Sequence, residues 1–151
     1  MDAGPRAILG IRLADAYRLE QHGLRVLESL VDNPQLPPDV RDRADMHRVE
    51  TAVQLAWIGR ALEALRPGWS ERYATQSGEA VRLQLLPDWV QLERREIHAY
   101  LALMPYVRFA AMDGLGADCG AALDLQRSVL HWLEALQDPA PVEPTQAWPP
   151  A

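Results

Sequence analysis

Apolar residues recur every three or four positions along most of the chain, the spacing of one face of an α-helix. No alternating runs bounded by hairpin signals interrupt them. The spacing predicts a first helix over 6–31, with Leu9, Leu13, Ala16, Leu24, Leu27 and Val31 inward. Asn33, Pro34, Pro37 and Pro38 stop it, and Pro38 suits the opening turn of a second helix, where its missing N–H costs nothing. Asp39 and Asp42 favour that positive end. The second stripe reads Met46, Val49, Val53, Trp57, Ala61 and Leu65, and Pro67 and Gly68 follow it. Over 70–86 the pattern is ambiguous: Ser70 can cap a short helix, Gly78 weakens its middle and Pro87 ends it. Asp88 and Gln91 have capping-box spacing for a third long helix with Trp89, Leu92, Ile97, Tyr100, Leu103 and Val107 inward. Pro105 should kink or split that helix, and Gly114 and Gly116 end it. A fourth helix is expected over 118–137, with Leu125, Val129, Trp132, Leu133 and Leu136 inward.

Four long amphipathic segments make an all-α four-helix bundle over residues 1–137. The longer crossing between the second and third helices is consistent with ferritin-like connectivity, two helical hairpins joined by a long link carrying a short crossing helix. An up-down bundle with short loops is the competing topology. Residues 138–151 hold Pro139, Pro141, Pro144, Pro149 and Pro150 and read as an extended or flexible tail. Trp148 is its odd residue, an anchor for the body or for a partner chain.

Composition narrows the function classes. The chain of 151 residues has 21 acids and 15 basic residues, a net charge of -6, so a sequence-independent nucleic-acid binder is not expected. All the basic residues are arginine, which removes Schiff-base and phosphate-loop lysines. The single Cys119 excludes an internal disulfide and a multi-thiolate zinc site. Met1 to Arg6 is not followed by a long apolar run, and no stretch reaches the roughly 18 apolar residues of a membrane span. A cytoplasmic protein with no membrane partner is the expectation. No nucleophile elbow, phosphate loop, dinucleotide fingerprint or His-Glu-x-x-His occurs.

The informative residues are acids among the stripes: Glu20 on the first, Glu50 on the second, Glu93 and Glu96 on the third. A bare buried carboxylate costs several kcal/mol, so each must be paired, protonated or metal-bound. Acids from facing helices are how carboxylate bundles hold iron or manganese. Against that, Arg48, Arg82, Arg94, Arg95 and Arg127 are available as partners. His47 shares a helix face with Glu50, but in the reverse order of Glu-x-x-His. His22, His98 and His131 lack that spacing, and all four histidines read as surface or packing residues.

Three runs resemble the YciF-type ferritin-like stress proteins. Leu13-Ala-Asp-Ala-Tyr-Arg-Leu-Glu-Gln21 is similar to that family's first-helix signature, His47-Arg-Val-Glu-Thr-Ala-Val-Gln54 to its second, and Glu93-Arg-Arg-Glu-Ile-His-Ala-Tyr100 to its third. The resemblance spans about Ile8 to Leu136. It implies a dimeric ferritin-like bundle linked to stress, with Glu20, Glu50 and Glu96 as metal-facing acids and Glu93 secondary. Two departures stand out. Arg82 falls where the family has a Glu in the crossing segment, and Asp124 is followed by Leu125 and Gln126 where the family has acids.

Two functions are therefore expected. The first is a divergent stress-associated or structural homodimer whose metal site is degenerate, whose core acids are held by arginines, and which has no robust catalysis and no cofactor. The alternative is an iron- or manganese-binding protein using Glu20, Glu50, Glu93 and Glu96, with His47 or Gln54, for metal oxidation or peroxide consumption.

Overall fold

The computed structural model describes residues 4–70 and 84–137. Among them the chain forms α1 (Pro5–Val31), α2 (Pro38–Leu65), α3 (Leu86–Leu103) and α4 (Leu115–Gln137), with a 3-10 helix, Met104–Ala110, after α3. There is no strand among these residues, and no described helix is long and apolar enough to cross a membrane. The expected crossing helix with Tyr73, Gly78, Glu79 and Arg82, and the tail with Trp148, lie outside the described residues.

Pairwise contacts fix the helix directions. Gly10 lies beside Arg66 and Tyr17 beside Gly59, and Glu20 meets Tyr100 while Gly23 meets Leu92, so α1 runs antiparallel to both α2 and α3. Hence α2 and α3 are parallel. Arg94 pairs with Glu134 and Val107 lies beside Gly116, so α4 runs antiparallel to α3. After α2 the chain is at the Tyr17 level, where Trp69 packs edge-on to Tyr17 at 4.7 Å. It re-enters at the opposite end, where Gln84 N–H donates to Ser29 Oγ and its carbonyl accepts from Asn33. The described ends of the link between α2 and α3 therefore lie at opposite ends of the bundle.

Local chemistry sets the helix ends. Pro5 and Pro38 open α1 and α2, where no N–H is needed. Leu85, not Asp88, caps α3; Asp88 sits inside the first turn and accepts from Leu85 N–H at 2.8 Å. Pro105 cannot donate to the ladder, and the chain tightens into the 3-10 turn there, as expected. Gly114 takes a φ of +82° before α4, whereas Gly116 lies within α4 rather than ending α3.

The inward faces follow the expected stripes in α1 and α3 but not throughout α2 and α4. Met46, Val49 and Val53 are 59%, 55% and 62% exposed. The buried face of α2 is Val40, Ala44, His47, Thr51, Gln54, Trp57, Ile58, Ala61 and Leu62: Trp57 and Ala61 are inward as expected, but the first half of the helix is rotated by about one residue from the expected stripe. The apolar ends decide this: burying a side chain such as Val40, Ile58 or Leu62 is worth roughly 1.5–3 kcal/mol each, and a rigid helix cannot turn its middle separately. In α4, Leu136 is exposed while Gln126 is fully buried.

The core is two apolar clusters. One gathers Leu9, Leu13, Trp57, Ile58, Tyr100, Leu103, Leu115 and Cys119. The other gathers Val26, Leu27, Leu30, Val40, Trp89, Leu92, Val129 and Leu133. Between them lies a polar layer to which every helix contributes: Glu20, His47, Thr51, Gln54, Glu93, Glu96 and Gln126, all buried.

Candidate metal centre

The layer is built around His47. One ligand atom from each of His47, Glu93 and Glu96 lies within 4.8 Å of the others, and all three side chains are buried. His47 comes from α2, and Glu93 and Glu96, three residues apart, from one face of α3.

Each side chain is positioned by a neighbour. His47 Nδ1 lies 2.6 Å from Glu50 Oε2, and Arg43 holds that same oxygen from 3.3 Å. With Nδ1 carrying the proton toward Glu50, Nε2 faces the interior. Nε2 is 2.7 Å from Glu93 Oε1 but off the hydrogen-bonding direction, so the contact is a close approach of two ligand atoms, not an aligned bond. Trp89 Nε1 donates to Glu93 Oε1 at 3.0 Å, and its ring stacks over His47 with centroids 6.3 Å apart. Trp132 packs edge-on against Trp89. Glu96 reaches across to α1, where it lies over Gly23. A Cβ added at that glycine would sit 2.6 Å from Glu96 Oε1.

Glu20 forms the other side of the layer. Tyr100 Oη donates to Glu20 Oε1 at 2.8 Å and Gln126 Nε2 at 3.2 Å. Gln54 meets both Glu20 oxygens at 3.1 Å: its amide nitrogen donates to the ionised acid, and turned over its carbonyl accepts from the protonated one.

The charge state follows from burial. Burial raises the Glu20 pKa to about 8, against the hydrogen bond from Tyr100. Burial also holds Glu96 well above the carboxylate range, reinforced by the charges of Glu20 and Glu93 and the hydrogen bond with Glu93. Burial alone would lower His47, but its hydrogen bond to Glu50, the close approach of Glu93 and the charges of both acids outweigh it and raise it to about 9. Glu50 is lowered, first by the hydrogen bond from His47, then by Arg43 against partial burial. At neutral pH the apo layer thus keeps Glu20 protonated and His47 charged, and burial favours the neutral form of Glu96.

None of Glu20, Glu93 and Glu96 is paired to an arginine among the described residues. Arg48 pairs with Asp45 and Arg94 with Glu134, both at the surface, while Arg95 and Arg127 reach no core acid and Arg82 lies outside the described residues. Among the described residues, then, an arginine clamps Glu50 but not Glu20, Glu93 or Glu96, and the polar atoms His47 Nε2, Thr51 Oγ1, Glu93 Oε2, Glu96 Oε2 and Gln126 Oε1 have no hydrogen-bond partner there.

Of the candidate residues, Glu93, Glu96 and His47 converge, and Glu20 and Gln54 lie beside them in the same layer. Glu50 is apart: its side chain is 27% exposed and bonded to the far nitrogen of His47. Sequence reasoning missed Thr51, Tyr100, Trp89, Gly23 and Gln126 as parts of the layer. A signal existed for two of them. Gln126 falls on the 119, 122, 126, 129, 133 spacing as a polar residue inside an apolar stripe, and Thr51 falls on the 44, 47, 51, 54, 58 spacing between apolar ends.

No family model matches the chain, and neither a curated protein nor a solved structure matches it.

Proposed function

We propose that this chain is a ferritin-like bundle protein that binds one divalent transition-metal ion, iron or manganese, on His47, Glu93 and Glu96. The observation that carries the reading is the convergence of three buried ligand atoms, with no arginine among the described residues to neutralise the acids. Two carboxylate oxygens and one imidazole suit iron or manganese. Glu50 has the carboxylate–histidine relation that orients a ligand imidazole, Trp89 steadies Glu93, and Gly23 leaves room for Glu96. Parallel α2 and α3, with the described ends of their link at opposite ends of the bundle, support the ferritin-like connectivity. Gln126 on α4, beside Glu20, brings an amide where a bridged pair of ions needs another acid, which favours a single ion over two. Bound iron or manganese supplies Lewis acidity and one-electron chemistry. A stress-associated role goes with this reading.

One observation favours a second reading, peroxide consumption on iron. A groove of about 300 Å³ between α2 and α4, lined by Glu50, Gln54 and Trp57, opens beside the layer and offers small molecules a path. We further propose that two copies pair through the outer face of α2, where Met46, Val49 and Val53 form an exposed stripe at helical spacing.

The test is metal content by mass spectrometry on protein purified without chelator or affinity metal, before and after anaerobic loading with iron(II) or manganese(II). About one ion per chain, lost in Glu93→Gln and Glu96→Gln, is the expected result. No stoichiometric metal under either condition overturns the reading. Peroxide decay over the iron-loaded protein, compared with Glu96→Gln, separates turnover from binding alone. Light scattering on Val49→Glu checks the pairing: the expected result is a dimer that becomes a monomer, and a monomeric parent protein removes it.

A further inference from the structure

On their inner sides α1 and α3 enclose the polar layer. On the outer side of the same seam they leave a groove of about 740 Å³ at the surface. Its charged lining is Arg12, Asp15, Arg18 and His22 from α1, with Arg95 and His98 from α3. Asp15, the one acid, is engaged by Arg18 at 3.1 Å. Arg12 and Arg95 form no ion pair among the described residues. Three arginines and two histidines therefore face a single acid in this groove, although acids outnumber arginines 21 to 15 in the chain.

His22 registers the field. Partial burial lowers its pKa first, and the charges of Arg25 and Arg95 lower it further. The part of that shift due to the guanidinium groups reflects a positive field beside the groove, where an anion is favoured.

The groove has a direction. The helices are antiparallel, with Gly23 level with Leu92 and Glu96, and Glu20 level with Tyr100. Arg95 and His22 therefore share one end, with His98 following on α3, while Arg12 lies about 15 Å from His22 along α1. Between the two ends the floor is apolar and half-buried: Leu19, Ala99 and Ala102. A guanidinium fork beside two imidazoles matches a compact, multiply charged oxyanion better than a lone carboxylate. The apolar floor needs an organic body to cover it.

We infer that this groove binds a small phosphate monoester, its phosphate held by Arg95, His22 and His98 and its apolar body lying over Leu19, Ala99 and Ala102 toward Arg12. The inference is independent of the metal reading, since its residues are on the outer faces of α1 and α3. The net charge of -6 disfavours a long polyanion, which would have to follow the surface beyond the groove.

The experiment is a titration of the full isotope-labelled chain with 1-naphthyl phosphate, followed by amide chemical shifts, with inorganic phosphate as the bodiless probe. Shifts should cluster at Leu19, His22, Ala99 and Ala102, and 1-naphthyl phosphate should bind about tenfold more tightly than inorganic phosphate. Arg95→Gln should weaken binding about tenfold and Arg12→Gln less, while Arg48→Gln on α2 leaves it unchanged. These arginines are at the surface, so the melting temperature should stay constant and any loss is a loss of binding. No saturation by ~10 mM, equal weakening by Arg48→Gln, or equal affinity for the two probes overturns the proposal. So does an oligonucleotide that binds in an Arg95-dependent way when 1-naphthyl phosphate does not.

Discussion

Leu13 and Glu20 lie two turns apart on the same face of α1, and both are buried, yet they answer to different physics. Around Leu13 the helices meet through Leu9, Ile58, Tyr100 and Leu103, and the interaction is non-directional packing. Around Glu20 the same helices meet through Tyr100, Gln54 and Gln126 side chains whose hydrogen bonds have fixed directions. Above that layer packing resumes with Val26, Leu27, Leu30 and Trp89. The apolar ends hold the bundle together, and the polar layer uses that rigidity to keep ionisable groups in a place they would otherwise avoid. A bundle needing only stability gains nothing from such a layer, since well-packed apolar residues in its place are often neutral or stabilising.

The sharpest test of this comparison sets one variant from each region side by side. Leu13→Ala should cost about 2–5 kcal/mol in chemical unfolding, because the emptied volume cannot collapse. Its affinity for iron(II) or manganese(II), measured while folded, should hardly change. Glu96→Gln should do the opposite, leaving stability at pH 7 within about 1 kcal/mol while metal affinity falls by ~100-fold or more. If Glu96→Gln unfolds the protein as Leu13→Ala does, the layer is structural and the comparison fails.

A pH series on chelated protein is the next largest effect. Glu20 titrates near 8 and His47 near 9 when folded, and Glu96 is raised as well. All three bind protons more tightly folded than unfolded. Stability should therefore fall as pH climbs from about 5 to about 9, the window between their ordinary and folded values. Glu50 is lowered, so its contribution is lost only as pH falls below the usual carboxylate range and leaves that slope alone. A melting temperature dropping by several degrees, roughly 5 °C, across the window is the expected result. Metal should reverse the trend, because it competes with the same protons and its stabilisation grows with pH. A flat profile without metal would show that the layer does not titrate as its burial requires.

Gly23→Ala probes a smaller effect at the junction of the two regions. The added methyl meets the Glu96 carboxylate, the far end of a flexible side chain, so the fold should yield little. Helix propensity even favours alanine by up to about 1 kcal/mol. Metal affinity should fall about tenfold because one ligand is displaced. Unchanged affinity would mean that Glu96 is not a ligand.

How much of this was legible beforehand depends on the helix. In α1 the stripe Leu9, Leu13, Ala16 and Leu27 was readable, as were Trp89, Leu92, Tyr100 and Leu103 in α3, because apolar residues dominate those faces from end to end. In α2 the pattern misled. Met46, Val49 and Val53 offered an apolar stripe in the middle of the helix, while the residues that set its rotation, Val40, Ala44, Ile58 and Leu62, are at its ends. Periodicity reads a local window, but burial is decided by the whole rigid cylinder. The same rotation put His47 inside, a choice that sequence spacing had left open between surface and packing. The acids were legible as residues out of place; what compensates them was not.

By itself the sequence determined the helices, their proline and glycine boundaries, the break at Pro105, and the presence of acids among the inward stripes. These are local matters of backbone dihedrals, missing donors and a 3.6-residue period. Only the tertiary structure decided that α2 turns a polar face inward, that His47, Glu93 and Glu96 meet, that Glu50 stands behind the histidine, and that no described arginine reaches the core acids. Those outcomes depend on which helix faces which, and that is set by burying apolar side chains many residues away from the site.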